Sequence, residues 1–76
     1  MSIIPALTAT KVIRALKRAG FVEDRQRGSH MILIHPTTKA RTVVPVHSGK
    51  TISRSLLHDI VVVDAKLTMD NFLKLL

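Results

Sequence analysis

Apolar and polar positions recur with two different periods along the chain, and the changes of period mark the elements. Between Thr8 and Gly20, Val12, Ile13 and Leu16 fall at helical spacing, and Ala9 and Ala19 extend that face. The spacing predicts a helix over 8–20, with Thr8 as its N-cap and Gly20 just past its last turn, where φ is often positive. The period then falls to two. Phe21 to Gln26 and His30 to His35 read as strands joined by a turn at Arg27-Gly28-Ser29. Pro36-Thr37-Thr38-Lys39 reads as a hairpin loop. It leads into a third strand, Arg41 to Val46, with Pro45 at its end, where a missing N–H is tolerated. Connections this short predict an antiparallel meander, because parallel crossovers need far more chain.

After the loop His47-Ser48-Gly49-Lys50-Thr51, a second helix is expected to start near Ser53 and to carry Leu56, Leu57 and Ile60. The β-branched run Val61-Val62-Val63 leaves the form of its C-terminal half open. Thr68 is positioned to cap a short last helix bearing Phe72, Leu73, Leu75 and Leu76. The order α-β-β-β-α-α predicts an α+β fold, a three-stranded antiparallel sheet with helices on one face. Alternation puts His30, Ile32 and Ile34 on one face of the middle strand, and Met31, Leu33 and His35 on the other. Both sets contain large apolar side chains, so the pattern does not say which packs on the helices. The face left over would expose apolar surface of the kind that marks a partner site.

Composition narrows the classes. A chain of 76 residues predicts a single domain, 1–76, with one modest core. Cysteine is absent, which excludes a disulfide framework and a thiolate zinc site and fits a reducing, cytoplasmic setting. No apolar run approaches the roughly 18 residues that span a bilayer. Met1 to Leu7 has neither the basic start nor the long apolar stretch of a secretory signal. Twelve Lys and Arg against five Asp and Glu give a formal charge of +7, which draws polyanions to a very small surface. Nucleic acid fits better than anionic membrane, since the basic residues are grouped and no segment has a large apolar membrane face. Lys11, Arg14 and Arg18 share one helix face with Lys17 beside them, and taken singly each reads as part of a solvated face.

Chemistry then rests on the four histidines, His30, His35, His47 and His58. Histidine takes or gives a proton near neutral pH without help from its surroundings. RNA supplies a reaction that asks for little more. Its 2′-hydroxyl attacks the adjacent phosphate once a base removes the proton, and cations stabilise the charge that develops. His30 is the leading candidate. It follows a Gly28-Ser29 turn, with Arg25 and Arg27 just before it. Gly28 lets the backbone turn tightly and approach a phosphate, and Ser29 offers a hydroxyl and a main-chain N–H. From residue chemistry alone, a catalytic role and a solvent-facing role both stay open for His30. His47 and Lys50 lie in a loop before a helix start, a setting that favours anions, so a phosphate contact stands beside an ordinary loop as a reading. His35 reads as a strand end and His58 as a surface residue of a helix. No H-x-x-x-H or H-E-x-x-H occurs and the aspartates are scattered, so no metal site is expected. A P-loop and G-x-G-x-x-G are absent too, so no nucleotide cofactor is expected. Phe21 and Phe72 are both core candidates, which leaves little for base stacking.

Four stretches in order and spacing carry a family resemblance: Leu16-Lys17-Arg18-Ala19-Gly20-Phe21, Arg25-Gln26-Arg27-Gly28-Ser29-His30, Val43-Val44-Pro45-Val46-His47-Ser48-Gly49, and Leu57 with Ile60 followed by Phe72. Over residues 8–76 the chain resembles the HicA toxins of bacterial type II toxin–antitoxin systems. The resemblance implies a fold like a double-stranded RNA-binding domain and an mRNA interferase, an endoribonuclease that cleaves mRNA and blocks growth. It places the family's histidine on His30. It further implies a HicB antitoxin that covers the active surface, in a complex that commonly binds its own promoter DNA. Two stretches depart from the pattern. Ser55-Leu56 stands where the family usually has Gly-Thr before a leucine. Asp64-Ala65-Lys66 replaces the usual Ala-Gly at the end of the second helix, and alignment there needs one extra residue. A non-catalytic RNA- or DNA-binding module of the same fold is the alternative reading. A third is an interaction protein that binds another chain through the exposed sheet face. Whether Ser29 or His47 assists His30 is left open.

Overall fold

The computed structural model describes residues 6–76. Met1 to Pro5, most of the stretch judged unlike a secretory signal, lie outside the described residues. The elements in chain order are strand β1 (Leu7–Thr8), helix α1 (Ala9–Arg18), strands β2 (Val22–Arg27), β3 (His30–Ile34), β4 (Arg41–Pro45) and β5 (Thr51–Ile52), helix α2 (Arg54–His58), a π-helical segment (Asp59–Asp64) that continues it, and helix α3 (Met69–Leu73). The fold is α+β, with β2-β3-β4 forming an antiparallel sheet in that order. It is consistent with a double-stranded RNA-binding-domain-like architecture.

Helix ends follow local chemistry. Thr8 caps α1 by accepting from the Lys11 N–H at 3.5 Å, Ser53 caps α2 from Leu56 at 3.3 Å, and Thr68 caps α3 from Asn71 at 3.1 Å. α1 closes with the Phe21 N–H donating to the Leu16 carbonyl at 3.0 Å, which requires Gly20 at φ +104. Val12, Ala15 and Leu16 of α1 are buried and meet Leu33 and Val44 of the sheet, together with Leu57, Ile60, Val61 and Phe72. The face bearing Met31, Leu33 and His35 therefore packs on the helices, and the face of His30, Ile32 and Ile34 is turned away from them. The outer face is less openly apolar than alternation suggests. Ile32 is only 4% exposed, and of the apolar residues on this face only Val22, at 50%, is strongly exposed.

Two features escape the sequence pattern. Leu7–Thr8 and Thr51–Ile52 form a short antiparallel ladder that ties the start of α1 to the start of α2. The helix that begins at Arg54 widens at Asp59 into a π-helical segment. There the Ile60 carbonyl accepts from the Ala65 N–H, five residues on, at 3.0 Å, and from the buried Thr42 hydroxyl at 3.1 Å. Both lone pairs of that carbonyl are thereby engaged, which ties the wide turn to the buried Thr42 of β4. Lys66 then ends the segment at φ +62, and the Leu67 N–H donates back to the Val61 carbonyl at 3.0 Å. That position favours glycine, because a Cβ crowds the neighbouring carbonyl. Lys66→Gly should therefore stabilise the fold by about 0.5–1 kcal/mol, read as a higher urea midpoint at unchanged slope. A lower midpoint would remove strain at Lys66 from the account.

Candidate functional site

The site is built on the outer sheet face, and its positions follow from register. Cross-strand partners share a face. The rows are Arg27, His30 and Pro45; then Arg25, Ile32 and Val43; then Val22, Ile34 and Arg41. The tight turn between β2 and β3 has Gly28 at its first central position with φ +58, as a type II′ hairpin requires. A Cβ at Gly28 would meet nothing within 4 Å, so the glycine answers a backbone demand and leaves the space above the turn open.

A bulge aims the arginines. Between Glu23, opposite Leu33, and Arg25, opposite Ile32, Asp24 is an extra residue in β2. Phe21 is anchored in the core, and strict alternation from it would turn Arg25 and Arg27 toward the helices. The extra residue reverses the phase and brings both onto the face of His30. Glu23 stays on the helix side, where it pairs with Lys17 of α1. Arg25 leans to Asp24 at 3.4 Å, whereas Arg27 and Arg41 have no carboxylate partner among the described residues.

His30 itself is exposed at the start of β3. The chain on its other flank is held in place, because the Val46 N–H donates to the Ser29 carbonyl and extends the β3–β4 pairing one step past Pro45. This carries His47 and Ser48 to the end of the molecule occupied by the Gly28-Ser29 turn. The His47 carbonyl accepts from the Lys50 N–H at 3.2 Å around Gly49 at φ +75. Lys50 directly precedes β5, which pairs with Leu7–Thr8 and not with the three-stranded sheet. A separate cleft of about 430 Å³ between Thr8-Ala9-Thr10 and Val46–Gly49 does not include His30.

So Arg25, Arg27 and His30 share one face, Gly28 and Ser29 form the turn at its edge, and His47 lies one step beyond the ladder. Lys50 is set apart from them. Arg41 was missed in the sequence. Pairing Pro45 with His30 and counting back by twos would have placed it on the same face, about 13 Å along the strands from the His30 row. Among the described residues, no three His, Asp or Glu side chains gather as a metal-ligand set.

His35 has a different employment. Its Nδ1 accepts from the Thr37 and Thr38 N–H groups, both at 3.2 Å. The ring proton therefore sits on Nε2, which donates to the Ala19 carbonyl at 3.2 Å. The ring also meets Phe21 edge-on, with centroids 5.2 Å apart. His35 locks the β3–β4 loop to the end of α1, and its two nitrogens are fully engaged in that task.

This arrangement meets an independent finding. One family model, described as the HicA toxin of bacterial toxin–antitoxin, matches residues 9–67. The chain belongs to the HicA toxin family. No curated protein matches the chain. The family match runs from the first residue of α1 to Leu67, just past the π-helical segment, and so contains every residue of the outer face. α3 lies beyond it, although the resemblance read from the sequence extended to 76. Membership puts the toxin in a toxin–antitoxin pair. No helix among the described residues is long and apolar enough to cross a membrane.

Proposed function

We propose that this toxin is an mRNA interferase: an endoribonuclease that cleaves mRNA in the cytoplasm, without metal or organic cofactor, and arrests growth. The whole chain, 1–76, acts as one toxin domain. The observation that carries the reading is the exposed His30 on the sheet face turned away from the helices, in one row with Arg27 and one row from Arg25. His30 is the proton-transfer residue. Arg25 and Arg27 hold the phosphodiester and offset the charge that builds on its oxygens. Gly28 and Ser29 let the backbone come close to a phosphate, and His47 and Lys50 contact the RNA backbone further along. A HicB-like antitoxin protein covers the same face in the inhibitory complex. Half-buried Ile34, Val43 and Pro45 give it apolar surface to bury, and promoter DNA is bound only through the complex.

One observation favours a second reading, a non-catalytic RNA- or DNA-binding module. α1 carries Lys11, Arg14, Lys17 and Arg18, all exposed, and no acidic residue. The two readings part when purified toxin is incubated with an mRNA at low and at raised salt. The proposed function expects discrete fragments. RNA that is bound in a steeply salt-dependent way yet stays intact would favour the binding module.

A further inference from the structure

The outer sheet face carries a cation that the ribonuclease reading leaves unused. We propose that Arg41 holds the phosphate two nucleotides from the one cleaved at His30, so that a single RNA strand lies along the sheet over three successive phosphates. The proposal rests on the ribonuclease reading above and extends its substrate from one phosphodiester to an extended strand.

Register carries it, and every row concerned lies inside the paired ladders. His30 pairs with Arg27 and Pro45, Ile32 with Arg25 and Val43, and Ile34 with Val22 and Arg41. Successive rows on one face are two residues apart, about 6.8 Å along the strand. That step is close to the one between neighbouring phosphates of an extended strand. A cation stands at each step: Arg27 beside His30 in the first row, Arg25 in the second, Arg41 in the third. Arg25 on β2 and Arg41 on β4 flank β3 from opposite sides, each one strand spacing of about 4.8 Å away from it. A strand of RNA laid over β3 therefore comes within reach of both guanidinium groups.

Charge and chemistry point the same way. The ionisable residues in the paired rows of this face are Arg25, Arg27, His30 and Arg41, and none is acidic. Glu23 is turned to the helices by its pairing with Lys17, and Asp24 in the bulge is taken up by Arg25. Arg41 is exposed and has no carboxylate partner among the described residues. On α1, by contrast, Arg18 donates to the Leu75 carbonyl at 2.7 Å and Lys17 holds Glu23. A guanidinium left free in this way can take two oxygens of a phosphate at once. Phe21 and Phe72 are both buried, so the face has no aromatic ring on which a base could stack. Arg41 therefore sets the position and reach of the strand and not its sequence.

The test uses RNA oligonucleotides containing a site that the wild type cuts. A 2′-deoxy sugar at the cut nucleotide lets them bind without being cleaved. The phosphates one and two steps to either side of the cut are neutralised in turn as methylphosphonates. For the wild type, neutralising the phosphate two steps away on one side should weaken binding about tenfold. Arg41→Gln should weaken binding of the unmodified strand by a similar factor and lower the salt slope by about 0.7. The variant should be indifferent to neutralisation at that phosphate alone. On the cleavable strand it should raise KM and keep kcat. Its urea midpoint should match wild type, since Arg41 is exposed and the backbone pairing to Ile34 is kept. Losses that multiply at every phosphate, or an Arg41→Gln that binds like wild type, would overturn the role of Arg41 and leave the ribonuclease reading standing. A wild type that cleaves no RNA would remove the ribonuclease reading and this proposal together.

Discussion

His30→Ala should lower the rate of RNA cleavage by about 10²–10⁴ while leaving the fold intact. The size is that of a positioned general acid or base lost from a transition state. The arginines set the floor. Arg25 and Arg27 remain on the same face, so the variant keeps its affinity for the RNA backbone and loses turnover. The fold is spared because the imidazole is exposed and the core lies on the opposite side of the sheet. Alanine keeps the backbone pairing to Arg27 and Pro45. Single-turnover cleavage and an RNA-binding isotherm, measured on the same preparation, separate the two effects. A variant that loses binding as much as cleavage would show His30 to be a contact residue and not a proton carrier.

Gly20→Ala is expected to be the most damaging small substitution in the chain, by about 3 kcal/mol. Two costs combine. φ of +104 lies in a region that side chains rarely occupy, worth about 1–3 kcal/mol. The added Cβ would also lie 2.6 Å from Nε2 of His35. That ring cannot step aside freely, since both its nitrogens are bonded and its edge rests on Phe21. Domains of this size have only about 5–15 kcal/mol in hand, and each kcal/mol moves the melting temperature by about 4–8 °C. A drop of more than about 10 °C is therefore expected. A double-mutant cycle isolates the clash: in a His35→Ala background, Gly20→Ala should cost only its backbone strain. An unchanged cost there would mean that the contact with His35 is not the cause.

What could be read from the chain was what neighbouring residues decide. Thr8, Ser53 and Thr68 name their helix starts because a hydroxyl satisfies an amide three residues on. The turn at Gly28-Ser29 and the loop at Pro36 to Lys39 fix an antiparallel meander through their lengths. His30 stood out for the same local reason, a histidine directly after a tight turn among arginines. What escaped depends on partners far along the chain. The two-residue ladder of Leu7–Thr8 with Thr51–Ile52 is too short to leave a periodicity. The π-helical segment is bonded to the Thr42 hydroxyl, 18 positions before the carbonyl it reaches. The bulge at Asp24 decides which way Arg25 and Arg27 point, and only the anchoring of Phe21 in the core reveals that it is needed. Arg41 joins the face through sheet register alone.

The central claim is that the toxin acts by cutting mRNA with His30. It is tested most directly by induced expression of wild type and His30→Ala in bacterial cells, with growth and full-length mRNA followed in both and protein levels matched. Wild type should arrest growth as intact mRNA disappears, and His30→Ala should do neither. Growth arrest by His30→Ala, or arrest by wild type with mRNA intact, would contradict the account.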